Sequence, residues 1–223
     1  MKKKLVLRTH GGLGNQVFQV LYGRLFSDLH NLELTELHDS RYKHKFKKEK
    51  ALKFKETRSL KARIISGARI PKLIYKSIGK DGISISILNM YFLDGYYQNI
   101  DQYKKFSPQS ISKEIYKIKN ELGIIRFKIN KKIFHIRLKD FFKNESEEKE
   151  YAIKRINSIE NNSSIITNNE KILLSNDLQE IMNRKNIKLL GTEDLDSISI
   201  MKLMSEYSSI NSNNSTLAFW SSI

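Results

Sequence analysis

The sequence predicts an α/β protein built from two α/β halves that face a cleft. At the start of the chain, a short apolar run leads into a glycine-rich loop and then into a segment with helical spacing. From about residue 126 onward, short apolar runs alternate with helical segments, which is typical of parallel βαβ units. A chain of 223 residues with 39% hydrophobic content can hold one large domain or two small ones. We place the boundary near residue 125, which gives halves over residues 1–125 and 126–223.

The first half begins with a predicted strand, a glycine loop and a helix. The strand is the apolar run over residues 5–7, and the loop contains Gly11, Gly12 and Gly14. Such a loop can bring backbone N–H groups, and the positive end of the following helix, against an anion or a sugar. The helix is indicated by apolar side chains whose spacing places them on one buried face: Phe18, Leu21, Tyr22, Leu25 and Leu29.

Two standard interpretations of the glycines fail. A dinucleotide fingerprint needs Gly or Ala at position 17, where this chain has Val17. A Walker loop closes with Gly-Lys-Ser/Thr, whereas Gly14 is followed here by Asn15 and Gln16. Two interpretations stay open, a ligand-binding loop and a plain strand-to-helix turn with Asn15 as the helix N-cap.

The remainder of the first half reads as a strand over residues 32–37, a helix over residues 51–65, a β-rich segment over residues 83–93 and a helix over residues 107–122. The β-rich segment runs into Asp94, Gly95 and two consecutive tyrosines. Paired tyrosine rings can stack on sugar faces while their hydroxyl groups form hydrogen bonds. The alternative is an ordinary turn with aromatic side chains in the core.

The second half reads as alternating strands and helices. Strands are predicted over residues 133–136, 165–167, 171–175 and 187–190, and helices over residues 147–159, from Asp177 onward and over residues 197–206. Ligands of such sheets bind at the carboxyl ends of the strands.

The composition excludes several classes of chemistry. The chain has no cysteine, so disulfides, thiolate metal sites and cysteine nucleophiles are absent. This fits a reducing compartment. The apolar run after the first lysines is too short for a signal peptide or a membrane span, so we expect a cytoplasmic protein.

The positive charge is concentrated in one segment. The formal net charge is +16, and residues 41–80 hold 15 Lys or Arg against only Glu49 and Glu56, which is +13 of that total. We interpret this segment as a basic insertion, either simply solvated or attracted to anionic lipid at roughly 1 kcal/mol per basic residue. No motif for reading nucleic acid is present, so we expect no nucleic-acid partner.

The strongest chemical candidate follows the first strand of the second half. His135 and Arg137 alternate along the end of that strand and so share one face, and Asp140 follows in the loop. An arginine at the carboxyl end of a parallel strand can grip a pyrophosphate through two hydrogen bonds. That grip stabilises the charge on a departing nucleoside diphosphate. The alternative is a core histidine beside a structural ion pair between Arg137 and Asp140.

Short blocks in the chain resemble glycosyltransferase family 11, the α-1,2-fucosyltransferases. Residues 11–19 resemble the N-terminal signature of that family, and residues 95–98 resemble its second block. Residues 135–140 resemble the His-x-Arg-x-Gly-Asp block, with a departure at Lys139, where the family has glycine.

Two further blocks follow in the family's order. Residues 174–177 resemble a strand-end Ser-Asp-Asp block in which Asn176 replaces the first acid. Residues 203–205 and 214–220 resemble the last block, which is rich in Ser, Phe and Trp. Family members continue beyond that block with a final helix, so the resemblance implies a shortened member that ends at Ile223.

The resemblance implies an inverting, metal-independent transferase with a GT-B-like fold of two Rossmann-like halves. Such an enzyme moves L-fucose from GDP-fucose to a galactose-type hydroxyl in α-1,2 linkage and uses no cofactor. Its acceptor would be a glycan or a lipid-linked glycan of a bacterial surface polysaccharide. The basic insertion would then contact the anionic inner face of the membrane.

Site roles follow from the same blocks. Arg137 would hold the pyrophosphate, while His135 and Asp140 would shape that loop. The general base stays open between Asp94 and Asp140. Residues expected to bind substrate are Gly12, Asn15, Gln16, Tyr96, Gln98, Ser175, Asp177, Ser215 and Thr216, the last two from a helix N-terminus.

Three alternatives remain at this point. The blocks mainly describe handling of a diphosphate, so a related enzyme for another nucleotide sugar fits as well. A shortened chain could also be an inactive domain whose basic insertion binds anionic lipid or nucleic acid. Asp194 and Asp196 match the Asp-x-Asp metal clamp of another glycosyltransferase class, but they precede a predicted helix, where acids are favoured. We interpret them as helix-start acids.

Overall fold

The computed structural model describes residues 3–38, 83–87, 90–124, 129–139, 141–213 and 215–223. The predicted α/β class with mainly parallel sheets is confirmed. The chain divides into two compact units, Met1–Leu122 (unit 1) and Gly123–Ile223 (unit 2). The basic insertion and the helix predicted over residues 51–65 lie outside the described residues.

The described strands of unit 1 form a mixed sheet. Its described elements are β1 (Lys4–Thr9), α1 (Leu13–Leu29), β2 (Glu33–His38), β3 (Ile83–Ile87), β4 (Met90–Asp94), a 3₁₀ turn (Ile100–Tyr103) and α2 (Pro108–Leu122). The strand order is β2-β1-β4-β3, in which β1 runs parallel to both of its neighbours and β3 runs antiparallel to β4. The strand predicted over residues 32–37, the β-rich segment and the helix after Ser107 are thereby confirmed.

Helix α1 is buried on more sides than its apolar spacing predicts. Val17 and Val20 are fully buried in addition to Leu21 and Leu25, whereas Leu29 is 52% exposed. The single-face prediction is therefore wrong at Leu29. Leu29 is the last residue of the helix. Nearer its middle, α1 packs closely on β1, because a Cβ at Gly23 would lie 2.7 Å from a methyl group of Leu7.

A cluster of aromatic rings holds the segment that follows β4. The rings of Tyr97 and Tyr22 stack with centroids 4.1 Å apart. The Tyr103 hydroxyl donates to the carbonyl oxygen of Tyr97 at 2.9 Å, and burial raises the pKa of Tyr103 well above its usual range. Tyr97 therefore belongs to the core, which leaves Tyr96 as the more accessible of the paired tyrosines.

Unit 2 is a parallel sheet covered by helices. Its described elements are β5 (Ile129–Ile136), α3 (Glu145–Ser158), β6 (Ser164–Thr167), α4 (Glu170–Leu173), α5 (Asn176–Arg184), β7 (Lys188–Leu189), α6 (Ser197–Ser205), β8 (Tyr207–Ser212) and α7 (Thr216–Ser222). The order is β7-β6-β5-β8, and all paired strands are parallel.

Two predictions for unit 2 need correction. The strand predicted over residues 171–175 is the short helix α4, in which Ile172 and Leu173 are buried and the next residue, Leu174, is exposed. A short apolar run does not separate a strand from a buried helical turn. The strand-end interpretation of the block at residues 174–177 is wrong for the same reason, because Ser175 is the N-cap of α5. Strand β8 was not predicted, since its residues are mostly polar.

The side chain of Lys185 caps the C-terminal end of α3. The Lys185 ammonium donates to the carbonyl oxygens of Asn157 and Ile159 at 2.6 Å and of Ile156 at 3.2 Å. The last carbonyl groups of a helix lack partners within the helix, and a cation there also interacts favourably with the helix dipole. None of the helices in the described part of the chain is long and apolar enough to span a membrane.

Candidate functional site

Both sheets contain a topological switch point. In unit 1 the chain leaves β1 through α1 to reach β2 on one side, while β4 lies on the other side of β1. In unit 2 the chain leaves β5 through α3 to reach β6 on one side, while β8 lies on the other side of β5. Open α/β sheets bind ligands outside the carboxyl ends of strands at such points. The strand ends of β1 and β4, and those of β5 and β8, are therefore the two candidate regions.

In unit 1 the glycine loop and the tyrosine block meet at the ends of β1 and β4. Gly11 has a φ of +83°, which favours glycine, and a Cβ there would lie 3.1 Å from Asn15 Nδ2 and 3.3 Å from Tyr96 Cε1. The Tyr96 ring packs edge-on against His10 with centroids 4.8 Å apart. The Gln98 side-chain amide donates to Asn15 Oδ1 at 2.8 Å. The two blocks, joined here through residues that are 83 positions apart in the sequence, thus form one surface.

Two glutamines of α1 tie this loop to the helix that follows it. Gln16 Nε2 donates to the carbonyl oxygen of Gly11 at 2.8 Å, and Gln19 Oε1 accepts from the backbone N–H of His10 at 2.9 Å. Both glutamines are buried. Gln16 therefore supports the loop in this conformation, and its predicted contact with substrate stays a prediction.

The N-cap of α1 is Gly12, so the alternative interpretation with Asn15 as the cap is wrong. Asn15 lies in the first turn, where its side chain bonds Gln98 and does not cap the helix. Because glycine has no side chain, α1 begins without a side-chain cap. The uncapped start of a 17-residue helix is the arrangement expected where a ligand approaches backbone N–H groups.

In unit 2 the predicted arginine lies just beyond the end of β5. The last residues paired in the ladder between β5 and β8 are His135 and Ser212. Beyond them, the backbone N–H of Arg137 donates to Asn213 Oδ1 at 3.0 Å, and Asn213 Nδ2 donates to the carbonyl oxygen of Arg137 at 3.2 Å. From the other side, Asn168 Oδ1 accepts from the backbone N–H of Leu138 at 2.8 Å. The peptide that carries Arg137 is thus held from both neighbouring strands.

His135 is buried and uncharged. Its side chain is 7% exposed, and its Nδ1 has no hydrogen-bond partner among the described residues. Burial, with a smaller contribution from the positive charge of Arg137, lowers the pKa of His135 to about 4. The hydroxyl group of Ser212, its ladder partner, is likewise buried without a partner in the described part of the chain. A ligand or an ordered water can supply the partner that such buried polar atoms lack.

The Arg137 side chain is partly buried and packs on an aromatic ring. Its guanidinium carbon lies 5.0 Å from the ring centroid of Phe141, which is 48% exposed. Such a contact orients a guanidinium group without neutralising it. Asp140 lies outside the described residues, so both of its predicted roles stay predictions. Lys139, at the position where the family has glycine, is exposed.

The predicted binding residues of the blocks at 174–177 and 214–220 lie at the N-termini of helices. Ser175 is the N-cap of α5, and Asp177 forms an exposed ion pair with Lys149 at 2.7 Å, whose hydrogen bond lowers the pKa of Asp177. Ser215 is the N-cap of α7, where its hydroxyl oxygen accepts from a backbone N–H, and Thr216 is the first residue of that helix. Contact of these four residues with a diphosphate or base stays a prediction.

Asp196 is one of the two acids that match the metal clamp of another glycosyltransferase class. That residue is the N-cap of α6, and its side chain accepts from the backbone N–H of Ser199 at 2.8 Å. The helix-start interpretation is therefore confirmed for Asp196. Among the described ranges, no three His, Asp or Glu side chains converge as they would around a metal ion.

Sequence reasoning missed the residues that hold these loops. These residues are Gln19, Asn168, Asn213 and Phe141, none of which was singled out. An asparagine directly after a predicted strand is a signal that would have found Asn168, because that residue type often bonds nearby backbone groups. Asn213 follows β8, which was not predicted, so the same signal could not have found it.

The fold and the two regions define an α/β protein with a cationic candidate site at one switch point and an amide-rich candidate site at the other. No family model matches the chain, and no curated protein matches it. Solved structures similar to it include NodZ α-1,6-fucosyltransferase co-crystallised with GDP, with 9% identity over 99% of this chain and 92% of that one, at a TM-score of 0.47. Fucosyltransferase NodZ from Bradyrhizobium gives 9% identity over the same shares at 0.49. NodZ soaked with GDP-fucose gives 8% identity, again over 99% and 92% of the two chains, at 0.46.

Proposed function

We propose that this chain is a GDP-fucose-dependent fucosyltransferase that forms an α-1,2 linkage to a galactose-type hydroxyl. The observation that carries the proposal is the placement of Arg137. It lies at the carboxyl end of a parallel strand, beside the switch point of its sheet, with its peptide fixed from both sides. It also lies within the block that resembles the diphosphate-handling block of glycosyltransferase family 11.

Arg137 supplies the electrostatic part of the reaction. The acceptor hydroxyl attacks the anomeric carbon of the sugar from the face opposite the diphosphate, and the bond to the β-phosphate oxygen breaks. Negative charge then builds on the departing diphosphate, and a guanidinium group stabilises it through two charge-assisted hydrogen bonds. This role requires no metal ion and no cofactor. The base that takes the acceptor proton stays open between Asp94 and Asp140.

The β1/β4 region is assigned to sugar recognition. The exposed amide pair of Gln98 and Asn15 offers both donors and acceptors, as sugar hydroxyls require. The Tyr96 ring and the backbone of Gly12 lie at the same strand ends. A related transferase for another nucleotide sugar would use the same diphosphate grip, so donor identity is decided by experiment.

Nucleotide protection in a thermal melt tests the donor half directly. At a ligand concentration of about 100 times the dissociation constant, binding stabilises a protein by roughly 2.7 kcal/mol, which is an easily measured shift. We expect a shift with GDP and none with UDP, followed by transfer from GDP-fucose to galactose-ended acceptors. Protection by UDP alone would point to another nucleotide sugar.

The matched variants are Arg137→Ala and Arg184→Ala. Arg184 is an exposed surface residue of α5 with a loose ion pair to Glu180, so its loss removes the same charge elsewhere in unit 2. We expect Arg137→Ala to abolish transfer and to weaken GDP protection while the fold is retained, and Arg184→Ala to keep both. Full transfer by a folded Arg137→Ala protein would refute the proposal.

The charge of residues 41–80 favours a second property, peripheral contact with an anionic membrane where a lipid-linked acceptor resides. Co-sedimentation with vesicles that contain anionic lipid, compared with neutral vesicles, tests it. Binding that weakens steeply with salt is expected. If GDP gives no protection and this binding persists, the chain is an inactive lipid-binding domain.

A further inference from the structure

We propose that Asn213 is the positioning residue that sets Arg137 against a diphosphate, by fixing the width of the crevice between β5 and β8. This inference rests on the proposed function, since it concerns the same arginine. Asn213 lies outside the block of residues 135–140 and contacts the backbone of Arg137.

The geometry is that of a side chain continuing a strand ladder. Backbone pairing between β5 and β8 ends at His135 and Ser212. Past that pair, the Asn213 amide accepts from the N–H of Arg137 at 3.0 Å and donates to its carbonyl oxygen at 3.2 Å. A side-chain amide carries the same donor and acceptor as a peptide group, so it takes the place of ladder bonds beyond the last paired residues.

Among the described residues, the spacing between β5 and β8 at the switch point therefore rests on the side chain of Asn213. Beyond His135 and Ser212 the two main chains no longer pair, and the Asn213 side chain bridges them at Arg137. Asn168 holds the same loop from β6, but it bonds the backbone N–H groups of Leu138 and Lys139, which follow the arginine. Among the described residues, Asn213 alone bonds both backbone groups of Arg137.

Two variants alter this bridge in different ways. Asn213→Ala removes both hydrogen bonds, so the backbone N–H and carbonyl groups of Arg137 must bond water instead. Asn213→Gln keeps a neutral amide but adds one methylene, so it changes mainly the length of the side chain. If Asn213 works by fixing distance, both variants misplace the guanidinium group relative to the β-phosphate.

Comparing GDP with GMP isolates this effect, because only GDP has the β-phosphate that Arg137 is proposed to hold. By calorimetry on the full chain, we expect GDP to bind wild type at least tenfold more tightly than GMP. Asn213→Ala should weaken GDP binding at least tenfold and GMP binding less than threefold, and Asn213→Gln should weaken GDP binding three- to tenfold. The control is Tyr207→Phe, which removes a hydroxyl contact with Ser164 at the opposite end of β8 and should change neither affinity.

A double-mutant cycle shows whether Asn213 acts through Arg137. In an Arg137→Ala background, Asn213→Ala should change GDP affinity less than twofold, because the group it positions is already gone. Equal weakening of GDP and GMP by the Asn213 variants, or full additivity with Arg137→Ala, would overturn the inference. Should Asn213→Ala fail to fold, Asn213→Gln decides by the same GDP-to-GMP ratio. Absence of GDP binding by wild type would overturn the proposed function itself, and this inference with it.

Discussion

The loops at the two switch points are held in opposite ways. The loop after β1 is held by its own helix, through Gln16 and Gln19, which lie five and nine residues from the backbone groups they bond. The loop after β5 is held by Asn168 and Asn213, which lie about 30 and 76 residues from theirs. The first loop is therefore built locally, whereas the second depends on correct assembly of its sheet.

The chemistry of the two loops also differs. The loop after β1 presents amides and rings, and the loop after β5 presents a guanidinium group beside a neutral, buried histidine. A loop held by its own helix keeps its conformation when distant strands change. The position of an arginine held from two strands changes when either strand shifts. Substitutions in the two loops therefore separate these cases.

Substitution of Gly11, in the loop after β1, is expected to have the largest effect on stability. Gly11→Ala places a Cβ at a φ of +83°, within 3.1 Å of the Asn15 amide, so that amide must shift. We expect a loss of about 2–4 kcal/mol in the free energy of unfolding. The comparison in unit 2 is Gly123→Ala, where φ is +65° but the contact is the flexible end of Lys202. That change should cost about 1–2 kcal/mol by urea denaturation, and equal costs would contradict the packing argument.

Removing one supporting amide from each loop separates stability from binding. Gln19→Leu leaves the His10 N–H without its acceptor, and Asn168→Ala does the same for Leu138. We expect each to cost about 1–2 kcal/mol of stability. Only Asn168→Ala should also weaken GDP binding, because it alone supports the arginine loop. Urea denaturation with GDP titration of both variants checks this, and weaker GDP binding by Gln19→Leu alone would reverse the comparison.

Acid should destabilise unit 2 through His135. The pKa of its imidazole is about 4 in the folded chain and 6.5 ordinarily, so between these values the unfolded chain binds the proton more strongly. Stability is therefore fully present above about pH 7 and is lost as the pH falls toward 4. From pH 7.5 to 5.5 the loss should be roughly 1 kcal/mol. His135→Gln should remove that part of the pH dependence in urea midpoints, and an unchanged slope would show that His135 titrates normally.

The aromatic support of Arg137 should give the smallest effect. Phe141→Leu keeps an apolar side chain but removes the ring beneath the guanidinium group, which is worth about 0.5–1 kcal/mol at an exposed site. GDP binding should weaken about two- to fivefold by calorimetry. Tyr116→Leu, at a ring that is 54% exposed in unit 1, is the matched control and should leave GDP affinity unchanged. Equal losses in both variants would mean that surface aromatics in general affect the measurement.

The same local and non-local contrast explains what could be predicted from the sequence. Most strands and helices were found because their periodicity is a local signal, and the helix-start role of Asp196 follows from its neighbours. Strand β8 was missed because its Ser and Asn residues carry no apolar alternation, although it forms one side of the switch point. The bond between Asn213 and Arg137 depends on which strands become neighbours, which no local pattern contains.

The hydrogen bonds of Lys185 affect how readily its amine reacts with a chemical label. Its ammonium nitrogen donates three hydrogen bonds to the end of α3, so it is far less available to an amine-directed reagent than the many solvent-facing lysines of this basic chain. An acetyl group on that nitrogen would remove its charge and leave a single donor for three carbonyl oxygens. Modification and unfolding of unit 2 are therefore coupled. The rate at which this one amine reacts would report how often that unit opens.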